Sequence, residues 1–178
     1  LVASRHGQVL NKSDLAAPLG MSVAGITRWL DILEATAQIL LVPPYFENLG
    51  KRLIKSPKVY IADSGLACHL LGIETEAELE RSPFLGALFE GLIASEIAKA
   101  QVNAGRRCQL YFFRDQQGLE VDFLVPGKEA SVALIEAKAT RTATPEMTIP
   151  MQALAQAWRN RPGPTREVRC LLVHRPAR

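Results

Sequence analysis

Two acidic residues and a lysine stand at strand-like spacing in the second half of the chain. Asp122 lies in the segment EVDF, and Glu136 and Lys138 lie in LIEAK after thirteen intervening residues. Because side chains alternate across a strand, Glu136 and Lys138 should share one face, and Asp122 should share a face with Glu120. Charged side chains in otherwise apolar strands destabilise a fold unless they are paired or bind a metal ion. Two adjacent strands would therefore bring two carboxylates and an ammonium group into one patch.

Such a patch has the groups that hydrolysis of a phosphodiester needs. Paired carboxylates supply the oxygen ligands that Mg²⁺ or Mn²⁺ prefers, and we expect Asp122 and Glu136 to be those ligands. The metal ion lowers the pKa of bound water and neutralises the scissile phosphate. Lys138 would orient the water or stabilise charge in the transition state, so it is predicted to be catalytic together with the carboxylates.

The elements that must position this patch follow the order α-β-β-β-α-β. A long apolar helix is predicted before the strands and ends at Gly105, and the segment DQQG from Asp115 is typical of a hairpin turn. The predicted elements are a helix over Phe84–Ala104, strands over Gln109–Phe113, Leu119–Val125 and Val132–Ala139, a helix over Met147–Asn160 and a strand over Val168–His174. This is the order expected of a small α/β nuclease core.

The first half of the chain has the pattern of a winged helix. Asn11 or Ser13 can cap a helix that runs to Leu19, and Ser22 can cap a second helix with apolar residues at helical spacing. Gly20 lies in the turn between them, as in a helix-turn-helix. Strands over Gln38–Val42 and Val59–Ala62 follow, and a short helix over Ala62–Leu71 closes the domain. Between the strands lies a basic segment, predicted with Arg28 of the second helix to contact nucleic acid: Lys51, Arg52, Lys55 and Lys58.

Length and composition bound the remaining possibilities. The 178 residues can bury a good core, and we place a domain boundary near residue 80, in the acidic stretch from Glu74 to Arg81. The net charge of +3 permits contact with nucleic acid without demanding it. Cys68, Cys108 and Cys170 are too widely spaced for a thiolate zinc site, and they favour a reduced, cytoplasmic setting. No apolar run reaches the roughly 18 residues of a membrane helix.

The spacing of Asp122 and Glu136-Ala137-Lys138 resembles the D…(D/E)xK signature of the restriction-endonuclease-like superfamily, also written PD-(D/E)xK. In that superfamily a glutamate on the preceding helix often completes the metal site, and Glu90 matches that position. The resemblance therefore implies Glu90 as a third ligand, with Glu96 as the alternative on another side of the helix. Asp122 follows Val121 where the signature has proline, a position that varies among superfamily members.

A narrower resemblance covers nearly the whole chain. The chain is similar to the C-terminal domain of uncharacterised function that follows an AAA+ ATPase module in many bacterial and archaeal proteins. The segments that carry the likeness are LVASRHGQVLN, KRLIKSPK, VYIADSGL, FE at Phe89, FR at Phe113, EVD and IEAK. It implies a winged helix, a nuclease-like domain and an ATPase module to the N-terminal side. ATP would bind only there, because this chain has no GxxxxGK[ST] loop.

Each functional interpretation has a plainer alternative. The charged set on the strands can be a salt-bridge cluster on an exposed sheet face, and a nuclease fold can bind without cutting. Glu120 can be a neighbour of Arg114, and Gln152 an exposed helix residue, with no part in the site. The winged helix can contact protein in place of DNA. We expect structural or exposed roles for the histidines and helical core positions for the tryptophans: His6, His69, His174, Trp29 and Trp158.

Overall fold

The computed structural model describes residues 1–45, 55–129, 131–160 and 167–176, and the fold is of the α/β class. It divides into two compact units, the first formed by Leu1–Val42 and Ser56–Ser95, the second by Pro43–Lys55 and Glu96–Arg178. The helices are α1 Lys12–Ala16, α2 Val23–Ala35, α3 Ser64–Leu70, α4 Glu76–Arg81, α5 Leu85–Asn103 and α6 Ile149–Arg159. The strands are β1 Gln8–Val9, β2 Ile39–Val42, β3 Lys58–Ile61, β4 Tyr111–Arg114, β5 Glu120–Pro126, β6 Val132–Lys138 and β7 Val168–His174.

The two helices of the predicted helix-turn-helix form with the predicted caps. The side chain of Asn11 accepts a hydrogen bond from the Ser13 backbone amide at the start of α1, and Ser22 accepts one from Gly25 at the start of α2. The last turn after α1 is a 3-10 turn, and Gly20 ends it in the left-handed conformation (φ 61°). Both cap predictions are therefore confirmed.

The first unit contains a three-stranded antiparallel sheet in the order β1-β3-β2. Helices, turn and sheet follow the order of a winged helix, and the segment that joins β2 to β3 includes residues 46–54, which lie outside the described part. Apolar residues of α1, α2 and the sheet form one core that also includes Leu88 of α5: Leu15, Ile26, Leu30, Ile39, Val59 and Ile61. This core holds α2 against the sheet.

Two local features of the first unit differ from the expectation. Trp29 is 57 % exposed on α2, so its assignment to a core position was wrong, because α2 buries only the stripe through Ile26 and Leu30. The acidic stretch after Glu74 forms the helix α4, which begins with a capping box between Thr75 and Glu78. The T-x-x-E spacing could have revealed this helix from the sequence.

The second unit contains a four-stranded sheet in the order β4-β5-β6-β7, in which β6 and β7 are parallel and the other pairs antiparallel. The hairpin between β4 and β5 turns where predicted, because the carboxylate of Asp115 accepts hydrogen bonds from the amides of Gln117 and Leu119. Apolar residues of α6 pack on one face of the sheet: Met151, Leu154, Ala155 and Trp158. The predicted order α-β-β-β-α-β is confirmed.

An extra residue in β5 breaks the strict alternation that the sequence suggested. Tyr111 pairs with Leu124 and Phe113 pairs with Val121, so two residues of β4 span three of β5. Val121 and Leu124 consequently share the core beneath α6, whereas alternation would have put them on opposite faces. The irregularity falls at Asp122 and Phe123, next to the predicted metal ligand.

The two compact units divide within α5, after Ser95, and the domain boundary near residue 80 stays a prediction. The first turns of α5 belong to the first unit because they pack on its core. Leu88 is buried there, and the Ser95 hydroxyl donates a hydrogen bond of 2.7 Å to the Ala62 carbonyl. Within the described residues, no helix is long and apolar enough to cross a membrane.

Candidate metal centre

The carboxylate pair lies where β5 and β6 stop pairing. Ladder pairs run from Pro126 with Val132 to Phe123 with Ile135, and the next residues are Asp122 and Glu136. Beyond the last ladder pair, a side chain of β5 bonds to the backbone of β6: Oδ2 of Asp122 accepts a hydrogen bond of 2.9 Å from the Ala137 backbone amide. The extra residue in β5 and this side-chain bond together hold the two carboxylates at the opening between the strands.

Lys138 joins the two carboxylates into one cluster. Its Nζ lies 2.5 Å from Oε1 of Glu136 and 4.0 Å from Oδ2 of Asp122. Asp122 and Glu136 are 7 % and 4 % exposed, whereas the Lys138 side chain is 37 % exposed. The structure thus brings together the three residues that the spacing had placed in one patch. The carboxylates lie inside and the ammonium group reaches the solvent.

One oxygen of the cluster accepts no hydrogen bond from the described residues. Within the described part of the chain, Oε2 of Glu136 is buried and accepts no hydrogen bond. Burial and the neighbouring charge of Asp122 raise the pKa of Glu136, and the ammonium group of Lys138 and the backbone amide of Asp122 oppose the rise. Two carboxylates and one ammonium group leave the ionised cluster one negative charge in excess. A cation at Oε2 would satisfy both the orphaned atom and the charge.

The residues present fit a metal that keeps several of its own waters. Among the described residues, no group of three or more His, Cys, Asp or Glu side chains is arranged to hold a metal ion. The described residues therefore offer two carboxylates at this place. Mg²⁺ is commonly bound by one or two carboxylates, with water and substrate phosphates as the other ligands. These two carboxylates suit Mg²⁺ or Mn²⁺ with water as the remaining ligands. They do not form a site in which the protein supplies every ligand.

Replacing Glu136 with glutamine is expected to stabilise the metal-free chain at pH 7 by roughly 1–3 kcal/mol, because a buried ionised oxygen without a partner is lost. The folded-state pKa of Glu136 is raised, so its contribution to stability is present below the ordinary value of 4.5 and is lost as pH rises through the folded pKa. The gain should therefore shrink between pH 7 and pH 4. Urea unfolding at several pH values measures it.

The matched control for this prediction is Glu96→Gln in the same unit. Glu96 pairs with Lys99 at 2.9 Å on the solvent side of α5, and its side chain is 60 % exposed. Loss of an exposed pair should change the free energy of unfolding by less than about 1 kcal/mol. A Glu136→Gln variant less stable than wild type at pH 7 would show that Lys138 compensates the buried charge fully.

Glu90 belongs to the first unit, where its carboxylate has other partners. Lys58 donates a hydrogen bond of 2.9 Å to Oε1 of Glu90, and the hydroxyl of Tyr60 donates a short one to the same oxygen. The side chains of Lys58 and Glu90 are 4 % and 16 % exposed. Its part in a metal site stays a prediction, as does that of the alternative Glu96. The contact with Tyr60 was not anticipated from the sequence.

Of the residues predicted to contact nucleic acid, some are exposed, one is buried and two lie outside the described residues. Arg28 is exposed on α2, and Lys55 is exposed in the second unit. Lys58 is buried in β3 against Glu90, so its ammonium group does not belong to an exposed basic surface. The strand begins one residue earlier than predicted, which moves Lys58 from the loop into the sheet. Lys51 and Arg52 lie outside the described residues.

The other polar candidates have local structural roles. Glu120 forms an ion pair of 3.4 Å with Arg114 on the neighbouring strand, the plainer of its two interpretations. Gln152 is exposed and donates a hydrogen bond to the Thr148 hydroxyl. His6 is buried, and burial lowers its pKa to about 4, so its ring is neutral at pH 7. His69 and His174 are exposed.

Two family models match separate parts of the chain. Residues 1–77 match a domain of unknown function (DUF8612), and residues 85–172 match a second domain of unknown function (DUF4143). An uncharacterized protein of Mycobacterium bovis and another of Mycobacterium tuberculosis are each 35 % identical over 153 residues, which is 86 % of this chain. The chain spans 33 % of the length of each of these relatives. No solved structure matches it significantly.

Proposed function

We propose that the second unit hydrolyses phosphodiester bonds with Mg²⁺ or Mn²⁺ held by Asp122 and Glu136. The observation that carries this proposal is the buried Oε2 of Glu136, which accepts no hydrogen bond within the described residues and lies in a carboxylate pair of excess negative charge. The order of the strands and helices and the spacing of Asp122, Glu136 and Lys138 support it further.

Each residue of the cluster has a separate task in this proposal. A bound divalent cation would supply an activated water and neutralise charge on the scissile phosphate. Asp122 and Glu136 hold the cation, and the Ala137 amide fixes the orientation of the Asp122 carboxylate. Lys138 orients the attacking water or stabilises charge on the phosphate, since its partly exposed ammonium group can reach an incoming substrate. Glu90 is a further predicted ligand.

Titration of Mn²⁺ by calorimetry tests the metal site directly. Wild type is expected to bind Mn²⁺, and Asp122→Ala is expected to bind it at least about tenfold more weakly, because one of two charged ligands is gone. Glu120→Ala serves as control, since it removes a carboxylate of the same strand that pairs with Arg114. No difference between wild type and Asp122→Ala would exclude Asp122 as a ligand.

The second candidate is a module without catalytic activity, whose two units bind a partner protein or DNA and regulate an ATPase. The exposed apolar side chains of α2 favour a protein partner, with Trp29 at 57 % and Ile32 at 52 % exposure. Arg28 is the charged residue of α2 predicted to meet DNA, and it stands directly beside Trp29. In this alternative the carboxylate cluster needs no metal ion, so the Mn²⁺ titration separates the two candidates.

The setting of the chain is also a proposal. We propose that it acts as the C-terminal part of an AAA+ ATPase in the cytoplasm, with DNA as partner, through Arg28, Lys51, Arg52 and Lys55. The resemblance to the domain that follows such ATPases supports this setting. The greater length of the mycobacterial relatives leaves room for an ATPase module in them. Co-purification of the full-length protein with DNA in the absence and presence of ATP would test it.

A further inference from the structure

A cleft in the second unit lies on β5, β6 and the end of α5, with a volume of about 480 Å³. Its floor is apolar and its rim carries two arginines. The residues that matter here are Ile97, Gln101, Arg106, Arg107, Val125 and Ile135. Val125 and Ile135 belong to the paired part of β5 and β6, where apolar side chains line the sheet. A cleft of this size is typical of ligand sites in proteins.

The arginine-bearing turn is held in place by its own side chains and backbone. Gly105 ends α5 in the left-handed conformation (φ 69°), and the Arg106 amide donates a hydrogen bond to the Gln101 carbonyl. The buried side chain of Gln101 accepts a hydrogen bond of 2.8 Å from the Gln109 amide and donates one of 3.4 Å to its carbonyl. The backbone that carries Arg106 and Arg107 is therefore ordered before any ligand binds.

The two arginines are exposed and have no acidic partner in the part of the chain that the structure describes. Two other surface cations of this unit are paired, Lys99 with Glu96 and Arg169 with Glu167. Two unpaired guanidinium groups above an apolar floor attract an anion whose remaining surface is flat and weakly polar. Arginine also donates two parallel hydrogen bonds to a phosphate and stacks on the planes of bases.

We propose that this cleft binds a segment of single-stranded nucleic acid, with phosphates on Arg106 and Arg107 and a base against Val125 and Ile135. A base can enter a concave site only when it is unstacked and unpaired. In a duplex the base faces are stacked and the outer surface is convex, so it would reach the arginines without filling the floor. The combination of cationic rim and apolar floor therefore selects a single strand.

This assignment deepens the proposed phosphodiester hydrolysis and rests on it for the class of ligand. Strands β5 and β6 carry both the cleft and the carboxylate cluster. Val125 lies three residues from Asp122 along β5, and Ala133 lies three residues from Glu136 along β6, which is about 10 Å of strand. Along β6, Ala133 and Ile135 point to the opposite face from Glu136, so the cleft and the carboxylate cluster lie on opposite faces of the sheet. A strand bound in the cleft would reach the cluster only around the edge of the sheet.

Binding of a short fluorescent oligothymidylate, measured by anisotropy in EDTA over a range of salt concentrations, tests the cleft without cleavage. Arg106→Gln/Arg107→Gln is expected to weaken binding at least about tenfold. It should also reduce the slope of log affinity against log salt by roughly 1.4, because each lost phosphate contact removes about 0.7. Lys99→Gln/Arg169→Gln removes the same charge outside the cleft and should change both quantities much less.

A second variant separates base binding from attraction by charge alone. Ala133 is half-buried in the cleft wall, and Ala133→Leu should fill the floor, weakening single-strand binding while both arginines remain. The proposal would be overturned if the two double variants lost the same amount of binding affinity. It would also be overturned if a duplex of the same length bound as tightly as the single strand. Because EDTA removes the cation, failure of metal-dependent cleavage would leave this result intact, and the two proposals fail independently.

Discussion

Asp122→Asn is expected to lower metal-dependent cleavage of a nucleic acid by about 10³-fold in kcat/KM, equivalent to about 4 kcal/mol of transition-state stabilisation. Asparagine has nearly the same shape as aspartate but lacks the charge that a divalent cation requires. Its side-chain oxygen can still accept the hydrogen bond from the Ala137 amide, so the opening between β5 and β6 should keep its geometry. The comparison is made with Mn²⁺ on single-stranded and duplex substrates.

The control for this variant is Glu120→Gln on the same strand. It also removes one negative charge, but the Glu120 carboxylate is partly exposed and lies 3.4 Å from Arg114. We expect its cleavage rate to stay within a few fold of wild type, and circular dichroism should show both variants folded. Equal rates for wild type and Asp122→Asn would remove Asp122 from the catalytic site. If the wild-type protein cleaved none of the substrates, the result would instead favour the second candidate, a binding module without catalytic activity.

Gly91→Ala is expected to reduce the free energy of unfolding by roughly 3 kcal/mol, a large effect for one methyl group. A Cβ atom at Gly91 would overlap Nε2 of His6 and lie 2.7 Å from its Cε1. The His6 ring cannot withdraw easily, because its Nδ1 accepts a hydrogen bond of 3.0 Å from the Ile61 amide and its edge meets the Tyr60 ring. Thermal and urea unfolding measure the loss.

Gly86→Ala is the matched control for the Gly91 variant. Gly86 lies in the same helix, and a Cβ atom there would meet nothing within 4 Å. The substitution should stabilise the helix by about 0.5–1 kcal/mol, because alanine loses less backbone freedom than glycine. In a His6→Ala background the loss caused by Gly91→Ala should shrink, because the clashing ring is absent. An unchanged loss in that background would show that the close approach is not the cause.

The Gly91 contact matters for the neighbouring glutamate. Gly91 lets the start of α5 approach β3 closely, and that approach places the Glu90 carboxylate on Lys58 and Tyr60. A larger residue would push the helix away from the strand. The variant should therefore also loosen the Lys58–Glu90 pair, which is nearly buried. Whether Glu90 serves a metal ion or this buried pair, its position depends on the absence of a side chain at the next residue.

Much of the architecture could be predicted from local patterns alone. The caps at Asn11 and Ser22, the left-handed Gly20 and the turn at Asp115 are decided by hydrogen bonds within a few residues, so the sequence contains the needed information. Apolar periodicity likewise indicated α5, α6 and the strands in their order. The spacing of Asp122, Glu136 and Lys138 was sufficient to predict one cluster, because neighbouring strands align their residues in a regular ladder.

Other features were decided only by contacts between distant residues. The extra residue of β5 depends on its pairing with β4, and no local signal marks it. Trp29 has helical spacing yet lies outside, because the faces that α1 and the sheet cover determine which side of α2 is buried. Lys58 looked like part of a basic loop, but pairing with β1 and β2 draws it into the sheet, where Glu90 satisfies its charge.

The candidate site shows the same division. Residue types and spacing by themselves determined that two carboxylates and a lysine would meet, since residues two apart on a strand share one face and neighbouring strands pair residue by residue. Only the tertiary structure decided that the carboxylates are buried, that Oε2 of Glu136 accepts no hydrogen bond within the described residues, and that Arg106 and Arg107 lie beside an apolar floor. Burial and the availability of a hydrogen-bond partner depend on how whole helices and strands pack. That packing brings together residues far apart in the chain, so no local sequence pattern predicts it.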